Sequence, residues 1–179
     1  MKITTLEEAF IHGLSDIYSA EKQMTKALPK LAKAATNPKL TAGFEQHLTE
    51  TEGQIERIDQ IVEQTGIKLQ RIKCKAMEGL TEEGEETIKE IEKGAVRDVM
   101  LIAGAQKVEH YEIATYGALV AMAEKLGFTK AAKLLNDTLE EEKATDLKLN
   151  KLALSQVNEE ALRSQENVDE RKANKKSAA

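Results

Sequence analysis

Apolar residues recur at alternating steps of three and four positions along four long segments, a spacing that places them on one face of an α-helix. The first segment carries Phe10, Leu14, Ile17, Met24 and Leu28 at these steps. The β-branched and aromatic runs that strands favour are missing, so the expected fold class is all-α. The pattern predicts four long helices, over 5–35, 39–64, 95–125 and 130–156.

Local signals mark the ends of these predicted helices. Thr4 or Thr5 is the expected N-cap of the first helix. Glu7 or Glu8 follows three residues later, as in a capping box. The segment TNPKL ends the first helix, a TG pair ends the second and LGFT ends the third. Pro29 lies inside the first pattern, where it is expected to kink the helix or start a new turn.

The connections between the predicted helices are short, long and short in chain order. The long one, 67–94, contains glycines at 79, 84 and 94, and its stretch TEEGEETIKEIEK predicts a short charged helix. Two antiparallel hairpins joined by a crossover that travels the length of the bundle have the connectivity of ferritin-like proteins. The sequence therefore predicts a four-helix bundle over 1–160. We expect the polar remainder, 161–179, to be a frayed or disordered tail.

Composition and charge narrow the class of protein. The 179 residues include two prolines, 3% aromatic residues and 32% charged residues, which is typical of helical proteins. A formal net charge of −5 argues against nucleic acid as a partner. The N-terminal segment does not resemble a secretory signal, and no apolar run approaches the roughly 20 residues of a membrane span. With a single cysteine, we expect a cytoplasmic protein with a reduced thiol.

Acidic residues interrupt the apolar faces near the middle of the predicted helices. Glu21 takes a position in the first helix where leucine or isoleucine is expected, and Glu142 and Asp146 do the same in the fourth. In the third helix, Glu109 and Glu112 lie three residues apart on one stripe. The positions of this stripe before Glu109 and after Glu112 are apolar or aromatic. Burying unpaired carboxylates is costly, so we expect a positively charged group to meet them.

The second predicted helix adds an imidazole to this set. His47 and Glu50 lie three residues apart, beside an expected apolar stripe of Leu40, Phe44, Leu48, Thr51, Ile55, Ile58 and Val62. His110 belongs to the stripe next to Glu109 and Glu112, where it is expected to support ligands by a hydrogen bond rather than to bind metal itself.

Mid-helix positions of antiparallel hairpins come to similar heights, so these groups should converge inside the bundle. Bridging carboxylates and neutral imidazole are the ligands of di-iron and di-manganese sites, and two divalent cations would neutralise the acids. Each residue also has an ordinary alternative, such as an ion pair for Glu21 or a hydrogen-bonded core position for His47. We expect Glu140 and Glu141 to form a solvated face, and the three tyrosines to be packing residues whose hydroxyls find partners.

The expected ligand set departs from the usual bundle motif, in which two helices each carry Glu-x-x-His. The second helix has the reverse order, HLTE at 47–50, and the fourth has EKATD at 142–146 without a histidine. The site would therefore be rich in carboxylates, which suits iron or manganese better than copper.

Several motifs resemble the YciE/YciF family of bacterial ferritin-like stress proteins: LSDIYSAEKQ, ETEGQIERIDQ, KCKAMEGL, AQKVEHYEIATYG and LEEEKATDLKL. The resemblance extends over 3–155. It implies a ferritin-like bundle with an extra crossover helix, a homodimer and a rubrerythrin-like dimetal centre. Thr49 and Glu52 stand where related sequences can have an acid and a histidine. The metal ligands that matching positions imply are Glu21, His47, Glu50, Glu109, Glu112 and Glu142, with Asp146 as a weaker candidate.

The sequence leaves three functions open. The first is redox chemistry of peroxide or oxygen at an iron pair, or disproportionation at a manganese pair, with an external electron donor because the chain has no CxxC pair. The second is iron binding without turnover, and the third is a structural or adaptor role with a vestigial site. Whether the protein is an enzyme is left undecided. Cys74, between Lys73 and Lys75, is either a reactive thiol or a packed residue, and packing is favoured.

Overall fold

The computed structural model describes residues 2–166, and within this range the secondary structure is entirely helical. A π-helical turn at Ala153–Val157 follows the last long helix, and helical residues continue over 158–166. The first part of the predicted tail, 161–166, is thus helical, and the rest lies outside the described residues. The helices are α1 (Leu6–Ala34), α2 (Pro38–Thr65), α3 (Lys75–Glu90), α4 (Ala95–Lys125) and α5 (Thr129–Leu152).

Helix ends follow the local signals in the sequence. The hydroxyl of Thr5 accepts a hydrogen bond from the Glu8 backbone N–H (3.1 Å), and the Glu8 carboxylate accepts one from the Thr5 N–H (3.0 Å). This reciprocal pair is the expected capping box. Gly66 ends α2 with a φ of 70°, a left-handed conformation that glycine adopts at little cost. Pro29 lies inside α1, which continues through it as one helix.

Contacts at both ends of the bundle set the directions of the helices. The rings of Phe10, near the start of α1, and Phe128, just after α4, have centroids 5.8 Å apart. At the opposite end, the backbone N–H groups of Thr36 and Asn37 donate to the carboxylate of Asp98 in the first turn of α4 (both 2.8 Å). Helices α1 and α4 are therefore antiparallel neighbours.

A contact at the same end of the bundle sets the relative direction of α2 and α5. The side-chain amide of Asn37, just before α2, donates to Glu160 beyond the end of α5 (3.2 Å), so α2 and α5 are also antiparallel. Around the bundle, each of the four long helices packs against two of the others, in the order α1, α2, α5, α4. This is the predicted ferritin-like arrangement of two hairpins joined by one crossover.

The crossover helix α3 is longer and begins earlier than the charged stretch at 81–93 that the sequence predicted. It packs on α1 and α4, where ion pairs join Lys30 to Glu85 (2.6 Å) and Lys107 to Glu83 (2.5 Å). Cys74 precedes α3 and is fully buried, as the packing alternative predicted. Burial is also the main reason that the pKa of its thiol is raised.

None of the helices within 2–166 has the length and apolar character needed to cross a membrane.

Candidate metal centre

The seams of α1 and α5 bury acids at mid-helix, as the apolar pattern predicted. Glu21 and Glu142 have no exposed surface. In α1 the neighbours of Glu21 along the seam are Ile17 and Met24, and both are buried as well. The surrounding apolar positions fix the rotation of each helix, so the acids have to point into the bundle.

Helix α4 buries both of its expected acids. Glu109 and Glu112 are each 1% exposed, and they share the inward stripe of α4 with the fully buried Tyr116. His110 lies on the adjacent stripe, which turns outward: 70% of its side chain is exposed. Its Nε2 lies 3.5 Å from Asp146 Oδ1.

The structure therefore does not bring His110 to the buried acids, and the expected support of ligands by its imidazole is not seen. Asp146 also remains outside the buried group. Its carboxylate accepts a hydrogen bond from Gln106 Nε2 (3.1 Å), and its side chain is 21% exposed. Both residues lie at the outer border between α4 and α5, because their stripes are rotated away from the bundle axis.

The seam of α2 differs from the prediction by a small rotation. The spacing of apolar residues predicts Leu48, Ile55 and Val62 on the inward stripe and His47 beside it. In the structure Leu48 and Val62 are only half-buried, whereas His47 and Gln54 are buried. The inward positions of α2 form an unbroken 4–3 series: Leu40, Phe44, His47, Thr51, Gln54, Ile58 and Ile61.

That series was readable in the sequence, because it keeps the same alternating steps as α1. The expected stripe shares Thr51 with it but omits the polar His47 and Gln54, because the apolar pattern favours their neighbours Leu48 and Ile55. The consequence is that His47, Thr51 and Gln54 face the acids of the other helices. Glu50 lies at the edge, with 22% of its side chain exposed and its Oε2 3.6 Å from His47 Nδ1.

Four side chains meet at the centre of the bundle. One ligand atom from each lies within 4.8 Å of those of the others, and the four residues are His47, Glu109, Glu112 and Glu142. His47 Nε2 is 3.4 Å from Glu109 Oε1 and 3.9 Å from Glu142 Oε2. Three of the four long helices contribute to this group, which we call the central cluster. Glu21, from the fourth, is electrostatically coupled to Glu109, Glu112 and Glu142.

Hydrogen bonds from neighbouring helices hold one oxygen of each of two acids. The Tyr116 hydroxyl donates to Glu21 Oε1 (2.5 Å), in line with the expectation that the tyrosine hydroxyls find partners. Gln54 Nε2 donates to Glu142 Oε1 and also to Glu141 Oε2 (3.2 Å). Sequence reasoning missed Gln54 entirely.

Glu141 departs from the predicted solvated face. Its carboxylate forms an ion pair with Arg57 of α2, and the same guanidinium donates to Thr138 Oγ1 (3.1 Å). Glu140, by contrast, is exposed and pairs with Lys143 within α5 (2.8 Å), as expected of a solvated face. Arg57, Glu141 and Gln54 thus form a connected set that ends on Glu142.

Many polar atoms of this region have no hydrogen-bond partner. Among the described residues, nine buried side-chain nitrogen and oxygen atoms are without one, all of them in or next to the central cluster. Leaving such atoms unsatisfied is costly, and native proteins keep few of them. They belong to Glu21, His47, Thr51, Gln54, Glu109, Glu112 and Glu142.

The electrostatics of the interior acids also indicate that a positively charged partner would be favourable. Burial raises the pKa values of Glu21, Glu109 and Glu112 well above the usual range, and repulsion from neighbouring carboxylates raises them further. The pKa of Glu50 is lowered, mainly by its contact with His47. Acids that repel one another beside unpartnered imidazole nitrogens are a donor set that divalent iron or manganese would satisfy. The residues present therefore fit a metal centre.

Comparisons with known proteins agree with this architecture. A family model described as a domain of unknown function, DUF892, matches residues 5–162. The chain is 62% identical to protein YciF of Escherichia coli K12 over 162 residues, which cover 90% of this chain and 98% of that protein. The crystal structure of this E. coli stress protein superposes with a TM-score of 0.85 and covers 87% of this chain and 99% of that one.

Two further solved structures share the fold. YcfI of Rhodopseudomonas palustris, for which a structural role has been put forward, is 49% identical, with a TM-score of 0.80 over 83% of this chain and 95% of its own. A protein from Xanthomonas campestris pv. campestris, 22% identical, has a TM-score of 0.71 over 90% of this chain and 99% of its own, and it shows the fold alone. The match over 5–162 and the identity to YciF confirm the sequence resemblance, and the chain belongs to the DUF892 family.

Proposed function

We propose that the protein binds two divalent metal ions at the central cluster, iron first and manganese as the alternative, and uses them in redox chemistry of peroxide or oxygen. The observation that carries the proposal is the set of nine unpartnered buried atoms around four interior carboxylates. Two divalent cations would balance the four negative charges of Glu21, Glu109, Glu112 and Glu142, which one cation would not.

The ligands in this proposal are His47, Glu109, Glu112 and Glu142, with Glu21 and Glu50 as further candidates. When bound, an iron pair supplies the two electrons that reduce peroxide or oxygen. The chain itself holds the ligands in place: Tyr116 donates to one oxygen of Glu21, and Gln54 donates to one oxygen of Glu142. The second oxygen of each acid is left unpartnered.

Three parts of the proposal come from relatives or from the sequence. The E. coli relative is called a stress protein, and we extend a role in the stress response to this chain. A homodimer is proposed from the family resemblance, and a cytoplasmic location from the single cysteine. An external electron donor is required because the chain has one cysteine and so lacks any CxxC pair.

Two other functions use the same fold. In an iron-sequestering protein the central cluster would bind and retain iron without turnover. A structural or adaptor role is favoured by the description of the relative from R. palustris, and in that case the central cluster would hold no metal in the cell. Metal content and oxidation rate separate these functions.

The first experiment measures metal per chain by elemental analysis, in protein purified without chelator and again after anaerobic Fe(II) loading. We expect about two irons per chain, as in other bundles with paired carboxylates. Glu112→Gln should lose most of the iron, because both oxygens of Glu112 are buried without a hydrogen-bond partner. Glu124→Gln, an exposed position on the same helix, is the matched control. Near-zero metal in both wild-type samples would favour the structural role.

The second experiment follows oxidation of the loaded protein by peroxide. If the site is redox-active, oxidation is faster than for free Fe(II) and repeats after reduction, and Glu142→Ala abolishes it. Slow oxidation with full retention of iron would instead support sequestration. Unchanged oxidation in Glu142→Ala would show that the reaction takes place elsewhere.

A further inference from the structure

A cavity of about 550 Å³ lies beside the central cluster, in the half of the bundle that contains the α1–α2 loop. His47, Glu50 and Glu109 form part of its wall. This volume lies within the range of pockets that hold small organic molecules, which is about 300–1,000 Å³. All five helices contribute to its mostly apolar lining, which includes Met24, Leu28, Phe44, Leu80, Leu101 and Leu149.

Glycines on three different helices face this cavity: Gly43 on α2, Gly84 on α3 and Gly104 on α4. A Cβ added at Gly43 or Gly104 would meet no atom within 4 Å, and one at Gly84 would meet only Leu31 at an ordinary 3.6 Å. None of the three has a positive φ, so the backbone does not require glycine. A glycine inside a helix costs about 0.5–1 kcal/mol relative to alanine. The missing side chains leave space that the fold itself does not fill.

The rim of the cavity is rich in lysine. Five lysines line it, and three of them have a carboxylate within 4.0 Å: Lys30, Lys107 and Lys148. Lys39 and Lys151 form no ion pair with any residue in 2–166. Both lie toward the end of the bundle, on the antiparallel neighbours α2 and α5. At 1.5 Å per residue, Lys39 is about 12 Å along α2 from His47.

We propose that this cavity binds an anionic amphiphile with an unbranched alkyl chain, such as a long-chain carboxylic acid. The alkyl chain occupies the apolar space beside Gly43 and Gly104 and extends toward the central cluster. The carboxylate lies at the opposite end, where the cations of Lys39 and Lys151 meet it. The apolar lining excludes a fully polar ligand, and the two lysines favour an anionic head over a cationic one.

This binding does not depend on the proposed metal, because Gly43, Gly104, Lys39 and Lys151, on which the proposal rests, lie outside the central cluster. The test is therefore made on the full chain after chelator treatment. Isothermal titration with dodecanoate, below its micelle-forming concentration, should give saturable binding at one site per chain. The absence of saturable binding would overturn the proposal.

Leucine substitutions locate the site. Gly43→Leu and Gly104→Leu each fill the cavity and should weaken dodecanoate binding by about tenfold or more. The matched controls are Gly53→Leu on α2 and Gly117→Leu on α4, where an added Cβ also meets nothing within 4 Å but which do not line the cavity. These should bind like the wild type. All four variants replace glycine in a helix by a better helix former, so their melting temperatures should not fall.

Equal binding by cavity and control variants would place the ligand elsewhere and overturn the assignment. The head group is tested separately with Lys39→Ala/Lys151→Ala. This double variant should weaken binding of dodecanoate and leave that of the uncharged dodecanol unchanged. If both ligands lost affinity equally, the proposed pairing of the carboxylate with the lysines would be wrong.

Discussion

At the scale of single residues, the interior acids differ in how many of their oxygens are satisfied. Glu21 and Glu142 each accept one hydrogen bond, from Tyr116 and Gln54 respectively, whereas both oxygens of Glu112 have no partner. The donors hold one oxygen of each acid and leave the other without a partner. Such supporting hydrogen bonds orient metal ligands and affect metal affinity in other proteins.

Gln54→Leu tests this supporting role. The substitution keeps the approximate size of the side chain but removes the N–H that Glu142 accepts, so the carboxylate should lose its fixed orientation. We expect Fe(II) affinity to fall by about 10–100-fold. The affinity is measured by competition with a chelating dye, and Gln60→Leu, an exposed position on the same helix, is the control. An unchanged affinity would mean that Glu142 is held by packing alone.

The residue scale also shows what spacing can predict. The spacing placed Glu21, Glu109, Glu112 and Glu142 inside the bundle, because a helix with a long apolar face has only one favourable rotation. It did not predict the partners of these acids. A hydrogen bond such as that from Gln54 to Glu142 joins residues 88 positions apart, and depends on the heights of two helices after packing.

At the scale of helices, one acid fastens the two hairpins to each other. Asp98 lies in the first turn of α4 and is 1% exposed, and its two oxygens accept the backbone N–H groups of Thr36 and Asn37. The loop between α1 and α2 thereby gains partners for two donors that the helices cannot satisfy. Charge-assisted hydrogen bonds of this kind are stronger than neutral ones.

Asp98→Ala should therefore destabilise the bundle by about 1–3 kcal/mol, because the buried N–H of Asn37 and the more exposed N–H of Thr36 lose a charged acceptor. Asp98→Asn should lie between the wild type and the alanine variant, since an amide offers one acceptor oxygen. Urea denaturation gives the free energies of unfolding, and Glu124→Ala on the exposed face of α4 is the control. A loss from Asp98→Ala no larger than from the control would show that the hairpins are held together by apolar packing.

At the scale of the whole molecule, the buried acids couple stability to pH. In metal-free protein the folded state raises the pKa of Glu112 well above its unfolded value, first through burial and then through Glu21, Glu142 and Glu109. The folded state then binds more protons than the unfolded state between the two pKa values. The free energy of unfolding is therefore highest below the unfolded pKa and falls as pH rises toward the folded pKa.

We expect the melting temperature of chelator-treated protein to fall as the pH rises above the ordinary pKa of a glutamate, about 4.3. Glu112→Gln should show a shallower fall, because an amide of similar shape does not ionise. Glu124→Gln should follow the wild type, since its carboxyl group is exposed. Equal slopes for wild type and Glu112→Gln, measured by scanning calorimetry, would mean that Glu112 does not contribute to the pH dependence.

The sequence by itself determined the number of long helices, the single crossover and the burial of four acids. These features follow from local periodicity and loop length, both of which can be read from the amino-acid sequence alone. Only the tertiary structure decided that His110 and Asp146 remain outside the central cluster, and that Gln54 and Tyr116 hold its acids. The physical reason is that a rotation of a helix by one residue changes which neighbours are within reach, and that rotation is fixed by packing against other helices.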